Sequence, residues 1–283
     1  MTAAAGSPRT LARVGIVGRG RVGHALAAGL ARAGYAVDGP AGRDEVPAGD
    51  AVLLCVPDSE IEAACSVVAG RAALVGHTSG ATPLAALDAA AAHGAAVFGL
   101  HPLQTVAGGG GEAATDAAPG SAADSAPGSA ADSSADSAAA ALRGAGCAIA
   151  GSSPRAADVA RELALALGMT PFEIDDSQRA AYHAAASIAS NFLLALEASA
   201  ESVAAGAGIA PEDARRLLGP LVRQTVENWL EHGPAGALTG PIARGDEATV
   251  ERQRAAVEAV SPEAVALFDE LAERTRALVR VPA

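Results

Sequence analysis

The sequence predicts an α/β chain in which a doubly wound, mostly parallel sheet is followed by an all-α region. Three observations carry that expectation. Short apolar runs of strand type alternate with alanine- and leucine-rich stretches of helical density over residues 11–174. A glycine-spaced segment stands between the first strand and the first helix. From Asp175 onward the strand signals stop and only helical patterns remain.

Residues 12–17 form the first strand and lead directly into Gly18-Arg19-Gly20-Arg21-Val22-Gly23, a G-x-G-x-x-G segment. Residues 24–33 follow as a helix that stops at Gly34, a natural C-cap residue. A second strand starts at 35–37. Residues 50–56 (D-A-V-L-L-C-V) read as a fully buried third strand ending at Pro57-Asp58. Residues 73–76 run into His77-Thr78-Ser79-Gly80, and residues 95–100 run into His101-Pro102-Leu103. Residues 107–138 are alanine, glycine, proline and polar residues with only acidic charges, and A-P-G-S-A-A-D-S at 118–125 repeats at 126–133. Such a segment cannot recover its ordering entropy by burial, so it reads as a disordered insertion. Residues 147–150 and 171–174 then flank a helix at 154–167 and close the sheet, which ends the first domain near residue 174. The second domain, 175–283, is expected to hold helices at 176–204, 211–228, 246–258 and 262–278. The first of these has few charges and is expected to be mostly buried, against its own domain or a partner subunit.

In a strand–loop–helix unit the first glycine permits a tight turn. The second lets backbone approach a diphosphate, and the third lets helix pack on strand, with phosphate at the helix N-terminus. The segment reads as a Rossmann-type dinucleotide site with Gly18, Arg19, Gly20, Val22 and Gly23 at its centre, a glycine-rich turn without ligand being the alternative. Ligands of open parallel sheets lie beyond the carboxyl ends of the strands. That places Val56, Pro57 and Asp58 beside the cofactor and Ser79, Gly80 and His101 beside a substrate. Arg43, near the end of the second strand, favours the extra phosphate of NADP(H) over NAD(H). Asp38 is the alternative, an acid for ribose hydroxyls, and an ordinary surface role for Arg43 also stands.

Composition excludes several classes. A net charge of −12 and a pI near 4.9 disfavour nucleic acid and anionic membrane surfaces as partners. All 20 Lys+Arg residues are arginine, which removes lysine Schiff bases and Walker-type lysines. Cys55, Cys65 and Cys147 have no metal-like spacing and read as buried thiols, so no metal is expected. Residues 1–10 carry no apolar run and no later stretch suits a membrane helix, which points to a cytoplasmic protein.

In the helical half, His183, Ser187 and Asn191 follow i, i+4, i+8 and would share one face of a continuous helix. A histidine can move a proton near neutral pH and an asparagine amide can orient a carbonyl or carboxylate. Pairing inside a helix interface is the alternative. Arg244 in Gly240-Pro241-Ile242-Ala243-Arg244-Gly245-Asp246 can clamp a carboxylate. Alternatively Asp246 caps the next helix and Arg244 pairs with an acid. Trp229 reads as core.

Taken together, G-R-G-R-V-G at 18–23, C-V-P-D at 55–58, H-T-S-G at 77–80, H-P-L-Q-T at 101–105, Y-H-A-A-A-S-I-A-S-N at 182–191 and T-G-P-I-A-R-G-D at 239–246 resemble one family. It is that of the Rossmann-like oxidoreductases whose C-terminal half is a domain of unknown function, relatives of pyrroline-5-carboxylate reductase, ketopantoate reductase and the β-hydroxyacid dehydrogenases. The likeness runs from Leu11 onward, apart from the insertion. It implies an NAD(P)-binding domain, a helical domain that commonly dimerises, and a cleft between them. Some of these enzymes place a lysine and an asparagine on the long helix. Here Asn191 is present and the lysine is not, which makes His183 the candidate acid. His101-Pro102 also resembles a segment of prephenate dehydrogenases.

The expected activity is hydride transfer between NADP(H) and a small carboxylate-bearing ketone or imine in a homodimer. In it His183 is the proton donor, Asn191 and Ser79 orient the substrate, Arg244 holds its carboxylate, and Ser187 belongs to the catalytic face with His183 and Asn191. The alternative is a non-catalytic protein that binds NADP(H) and acts on a partner.

Overall fold

The computed structural model describes residues 10–106 and 137–280. Most of the expected insertion, 107–136, and the first nine residues lie outside the described residues. The chain divides into two compact units, one ending at Ser187 and one beginning at Ile188.

The first unit is a seven-stranded sheet in the order β2-β1-β3-β4-β5-β6-β7. Its strands are β1 (Arg13–Val17), β2 (Ala36–Ala41), β3 (Ala51–Leu54), β4 (Leu74–His77), β5 (Ala96–Leu103), β6 (Gly146–Gly151) and β7 (Thr170–Glu173). All neighbouring pairs are parallel except β5 and β6, which run antiparallel with Leu100 opposite Ile149. Its helices include α1 (Arg21–Arg32), α2 (Ile61–Val68), α3 (Asp88–Ala92) and α4 (Pro154–Ala166), of which α2 and α3 had no sequence assignment.

The apolar runs of β1, β3 and β5 have helices on both faces, which is why they lack polar alternation. Successive side chains of a strand point to opposite faces. Thus Val14, Ile16, Leu53, Phe98 and Leu100 pack with Leu26 and Leu30 of α1 and Val159 and Leu163 of α4. Val17, Val52, Leu54, Val75 and Val97 pack instead with Ile61, Cys65 and Val68 of α2 and Leu87 before α3. Ser153 caps α4, its hydroxyl accepting from the Ala156 N–H at 3.3 Å, with Pro154 in the first turn. The three cysteines are free and buried.

The expected single helix over 176–204 is interrupted. A 3-10 turn at Asp176–Gln178 leads into α5 (Arg179–Ala189), and α6 (Asn191–Gly206) begins after Ser190, whose backbone (φ −121°, ψ −73°) is not helical. Serine and asparagine side chains compete with helical backbone hydrogen bonds, and the two stand side by side at this break.

The second unit contains α6, α7 (Pro211–Ala237), the short α8 (Gly240–Ala243), α9 (Glu247–Val260) and α10 (Val265–Val279). Helix α7 kinks at Gly233 (φ 71°), before Pro234, whose ring nitrogen has no hydrogen to donate. The expectation that 176–204 is mostly buried does not hold within this chain. No residue of α6 is buried, and of α5 only Arg179 is. Trp229, expected in a core, is 51 % exposed, because α7 buries only Ala214. Among the described residues no helix is long and apolar enough to cross a membrane.

Candidate functional site

The glycine segment has the geometry its spacing calls for. Gly18 adopts φ +112°, and a Cβ there would lie 2.2 Å from the Cys55 carbonyl oxygen. At Gly23 a Cβ would lie 2.0 Å from the Gly18 carbonyl oxygen, so α1 approaches β1 as closely as it does only because both positions are glycine. Gly20 is the N-cap of α1, has no side chain to cap it, and has open space where its Cβ would stand. The first N–H groups of α1 are left without a side-chain acceptor, and the helix dipole adds partial positive charge there. These residues fit a diphosphate.

From that helix start a groove of about 390 Å³ runs past Arg21 and Val22 to Cys55, Val56, Pro57 and Asp58 at the exit of β3. It continues to Thr78 and Ser79 after β4 and to Gln104 and Val106 after β5. Each of β1, β3, β4 and β5 contributes at its carboxyl end, as the topology requires.

At the exit of β2 the charges are arranged in pairs. Arg43 Nη1 lies 2.9 Å from Glu60, and Arg19 Nη2 lies 2.9 Å from Glu45, which also accepts from the Gly42 N–H at 3.0 Å. Asp38 lies within β2 and accepts from the Ala48 N–H at 2.7 Å. Glu45, an acid that local reading passed over, is therefore the carboxylate held by the glycine-loop arginine.

Deeper in the same unit, polar side chains from β3, β4, β5 and α5 converge. The Ser79 hydroxyl donates to Asp58 at 2.8 Å and accepts from the N–H groups of Ala81 and Thr82 at 3.2 and 2.9 Å, which holds the turn after β4. His77, fully buried, accepts from the Ser79 N–H through Nδ1 at 3.2 Å. His101 Nδ1 and the Tyr182 hydroxyl are hydrogen-bonded at 2.7 Å. The rings of His101 and His183 meet edge to face at 5.6 Å. A Cβ on Gly80 would lie 2.5 Å from His183 Nδ1 and 2.9 Å from His101 Nε2, so the missing side chain at Gly80 is what admits both imidazoles.

Arg179 organises this cluster from below, with a side chain only 1 % exposed. Its Nε donates to Asp176 at 2.5 Å and its Nη1 to the Ser79 carbonyl at 3.3 Å. Asp176 in turn accepts from the Leu84 N–H at 2.9 Å. The guanidinium packs against β5, where a Cβ on Gly99 would be 2.2 Å from Nη2. Burial, reinforced by this cation, pushes His77 down to about 4. Burial, with His183 and Arg179 adding to it, does the same to His101, also to about 4. Burial moves Tyr182 the other way, up to about 12.

Of the residues singled out in the sequence, Asp58, Ser79, Gly80, His101 and His183 come together. Gly18, Arg19, Gly20, Val22, Gly23, Val56 and Pro57 surround the groove or its glycine loop, and Arg43 stands past the end of β2. The shared face of His183, Ser187 and Asn191 is corrected: the break at Ser190 puts Asn191 on another helix, and the face of α5 is Arg179, His183 and Ser187. Asn191 and Arg244 are exposed residues of the second unit. Asp246 caps α9 through the Thr249 N–H at 3.1 Å, the capping alternative raised above. Arg179, Asp176, Tyr182 and His77 were missed. The i, i+3 spacing of Asp176 and Arg179 and the i, i+4 spacing of Arg179 and His183 were the available signals. Among the described residues no cluster of three or more His, Cys, Asp or Glu suits a metal ion.

Residues 145–275 match the model of a domain of unknown function, DUF2520. The matched residues begin at the start of β6, so they cover the last strand–helix–strand unit of the sheet and most of the helical region after it. Among curated proteins none matches. A Bacteroides fragilis protein assigned as an NADP oxidoreductase is 19 % identical, with 94 % of this chain and 98 % of that one covered and a TM-score of 0.67. A Thermotoga maritima protein is 20 % identical over the same shares, with a TM-score of 0.66. A reductive aminase from Aspergillus terreus in complex with NADPH is 18 % identical over 95 % and 98 %, with a TM-score of 0.58. At these identities the likeness establishes the fold, an N-terminal Rossmann sheet with a helical C-terminal region.

Proposed function

We infer that this protein is an NAD(P)-dependent oxidoreductase acting on a small carboxylate-bearing ketone or imine, with NADP(H) favoured over NAD(H). One observation carries the reading: a single groove leads from the uncapped N-terminus of α1 to Asp58 and Ser79, beside the histidine pair. The NADPH complex of the reductive aminase supports the cofactor class. When bound, a reduced nicotinamide supplies a hydride.

The N–H groups of α1 and the open face of Gly20 hold the diphosphate, and Val56, Pro57 and Asp58 line the path onward. Arg43 and Arg19 neutralise the additional phosphate in this reading. Ser79 orients the substrate, and an imidazole of the pair over Gly80 supplies the proton, His183 being the candidate from sequence. Orientation by Ser187 and Asn191 and a carboxylate clamp by Arg244 are further parts of the proposal. So is a homodimer, which the exposed Phe192, Leu194, Leu221 and Leu230 of the second unit support.

The test is a calorimetric titration with NADPH and then NADH, followed by a panel of small oxo and imino acids. Ketopantoate comes first and pyrroline-5-carboxylate second. His183→Ala is expected to slow turnover with cofactor affinity retained. NADPH that binds and is consumed by no panel member favours a non-catalytic nucleotide-responsive protein, and no nucleotide binding would sink both readings.

A further inference from the structure

Two imidazoles face the space over Gly80, but only one has a hydroxyl behind it. His183 Nδ1 is buried and has no hydrogen-bond partner among the described residues, so no hydrogen bond at that nitrogen fixes its tautomer. His101 is held on its inner side by the Tyr182 hydroxyl at 2.7 Å, and Tyr182 is held edge-on by Phe172 of β7 at 5.8 Å. The outer nitrogen, Nε2, is the one nearest the vacant Cβ position of Gly80. The second partner of a histidine decides its tautomer and ring orientation.

We propose that Tyr182 and His101 form a proton relay: the Tyr182 hydroxyl donates to Nδ1, and the Nε2–H so fixed is passed to a carbonyl oxygen of the substrate. This deepens the oxidoreductase reading and rests on it. When a carbonyl carbon gains a hydride, the C=O π pair moves to oxygen and the alkoxide takes the proton from Nε2. Nδ1 takes the Tyr182 proton in the same event. The Oη–H and Nε2–H bonds break, and the Nδ1–H and substrate O–H bonds form. The imidazole is neutral before and after, and the tyrosinate left behind regains its proton from water.

The surrounding charges select this route over an imidazolium donor. Arg179 is buried beneath the cluster, His183 faces His101 from α5, Asp58 stands at the exit of β3, and Cys147 of β6 lies near Tyr182. The Arg179 cation disfavours a second positive charge at His101 and favours a negative one on Tyr182 or on an alkoxide. Burial keeps His101 uncharged and Tyr182 protonated at neutral pH, the starting state the relay needs. The same reasoning selects the substrate within the proposed class. A carbonyl oxygen has lone pairs to accept Nε2–H. A cyclic imine can take the same proton at its nitrogen lone pair, but the iminium so formed brings a positive charge towards Arg179. The charge environment therefore favours a 2-oxo acid or similar ketone over a cyclic imine.

The test is side-chain NMR of the full-length protein carrying ¹⁵N-histidine, as wild type, Tyr182→Phe and His183→Gln. The expected wild-type result is one uncharged His101 tautomer with its proton on Nε2, from about pH 5 to about pH 8. Tyr182→Phe mixes the tautomers, and His183→Gln leaves them unchanged. With NADPH bound, reduction of a 2-oxo acid by Tyr182→Phe falls on the order of 10²-fold while NADPH affinity is retained. An Nδ1–H tautomer in the wild type would overturn the relay, and that spectrum decides even if Tyr182→Phe does not fold. Undiminished ketone reduction by Tyr182→Phe, or turnover of pyrroline-5-carboxylate but no ketone, would also overturn it. Absence of NADPH binding removes the oxidoreductase reading and the relay together, whereas NADPH binding with the wrong tautomer removes only the relay.

Discussion

Replacing Asp176 with asparagine removes one negative charge and almost no volume, and its cost follows from what is left behind. The Arg179 guanidinium is 1 % exposed and has three engagements: Asp176 through Nε, the Ser79 carbonyl through Nη1 and close packing against Gly99. Without the carboxylate a buried cation retains only neutral acceptors. Breaking a buried ion pair from one side costs about 3–5 kcal/mol. The low end applies here, about 3 kcal/mol, because the carboxylate is 38 % exposed and the amide oxygen still accepts hydrogen bonds. The sole tryptophan, Trp229, belongs to the second unit, so its fluorescence reports the wrong part of the chain. Amide hydrogen exchange in β4 and β5 is the suitable assay, and about 3 kcal/mol corresponds to exchange roughly 10²-fold faster from the globally opened state. Adding Arg179→Met to the Asp176→Asn background should restore part of the loss, since the unpaired buried charge is then gone. A change under about 1 kcal/mol for Asp176→Asn, the size expected of an exposed pair, would refute the argument that Arg179 is a desolvated cation held by this carboxylate.

Three further outcomes follow from the same geometry. His77 and His101 have folded-state values near 4, below the ordinary 6.5, so the unfolded chain binds more protons between those limits; stability is complete above about pH 6.5 and is lost as pH falls towards 4. For the fully buried His77 alone the loss at pH 4 is about 3 kcal/mol, to be read in urea unfolding from pH 7 to pH 4, and a flat profile contradicts it. Gly20→Ala should leave thermal stability near wild type yet weaken NADPH binding at least about tenfold, whereas Gly18→Ala, strained by φ +112° and a 2.2 Å contact, should destabilise the fold itself; equal effects on both properties would count against the diphosphate cradle. Arg43→Ala should weaken NADPH more than NADH in calorimetry, by about 1 kcal/mol for an exposed phosphate contact, and an equal loss for both nucleotides removes Arg43 from cofactor choice.

The strands, the glycine loop and the carboxyl-end positions of Asp58, Ser79 and His101 were legible from local sequence, because each depends on short-range chemistry. A fully apolar run between turn residues makes a buried strand. The spacing of Gly18, Gly20 and Gly23 answers to contacts within one strand–helix unit. Asp38 and Arg43 could be named, but the pairing of Arg19 with Glu45 depends on how the chain turns after β2. The reversal of β6 was hidden because the connection from β5 passes through a segment with no directional signal.

What the sequence by itself determined about this protein is the Rossmann architecture, the site of the glycine cradle and the identity of most polar groups around it. The tertiary structure alone decided which of those groups face one another. It broke the helix at Ser190, so that Arg179 and not Asn191 shares a face with His183. It buried Arg179 against Gly99 and set Tyr182 behind His101. The last two relations join residues far apart in the chain, and packing creates them through distances that no periodicity records.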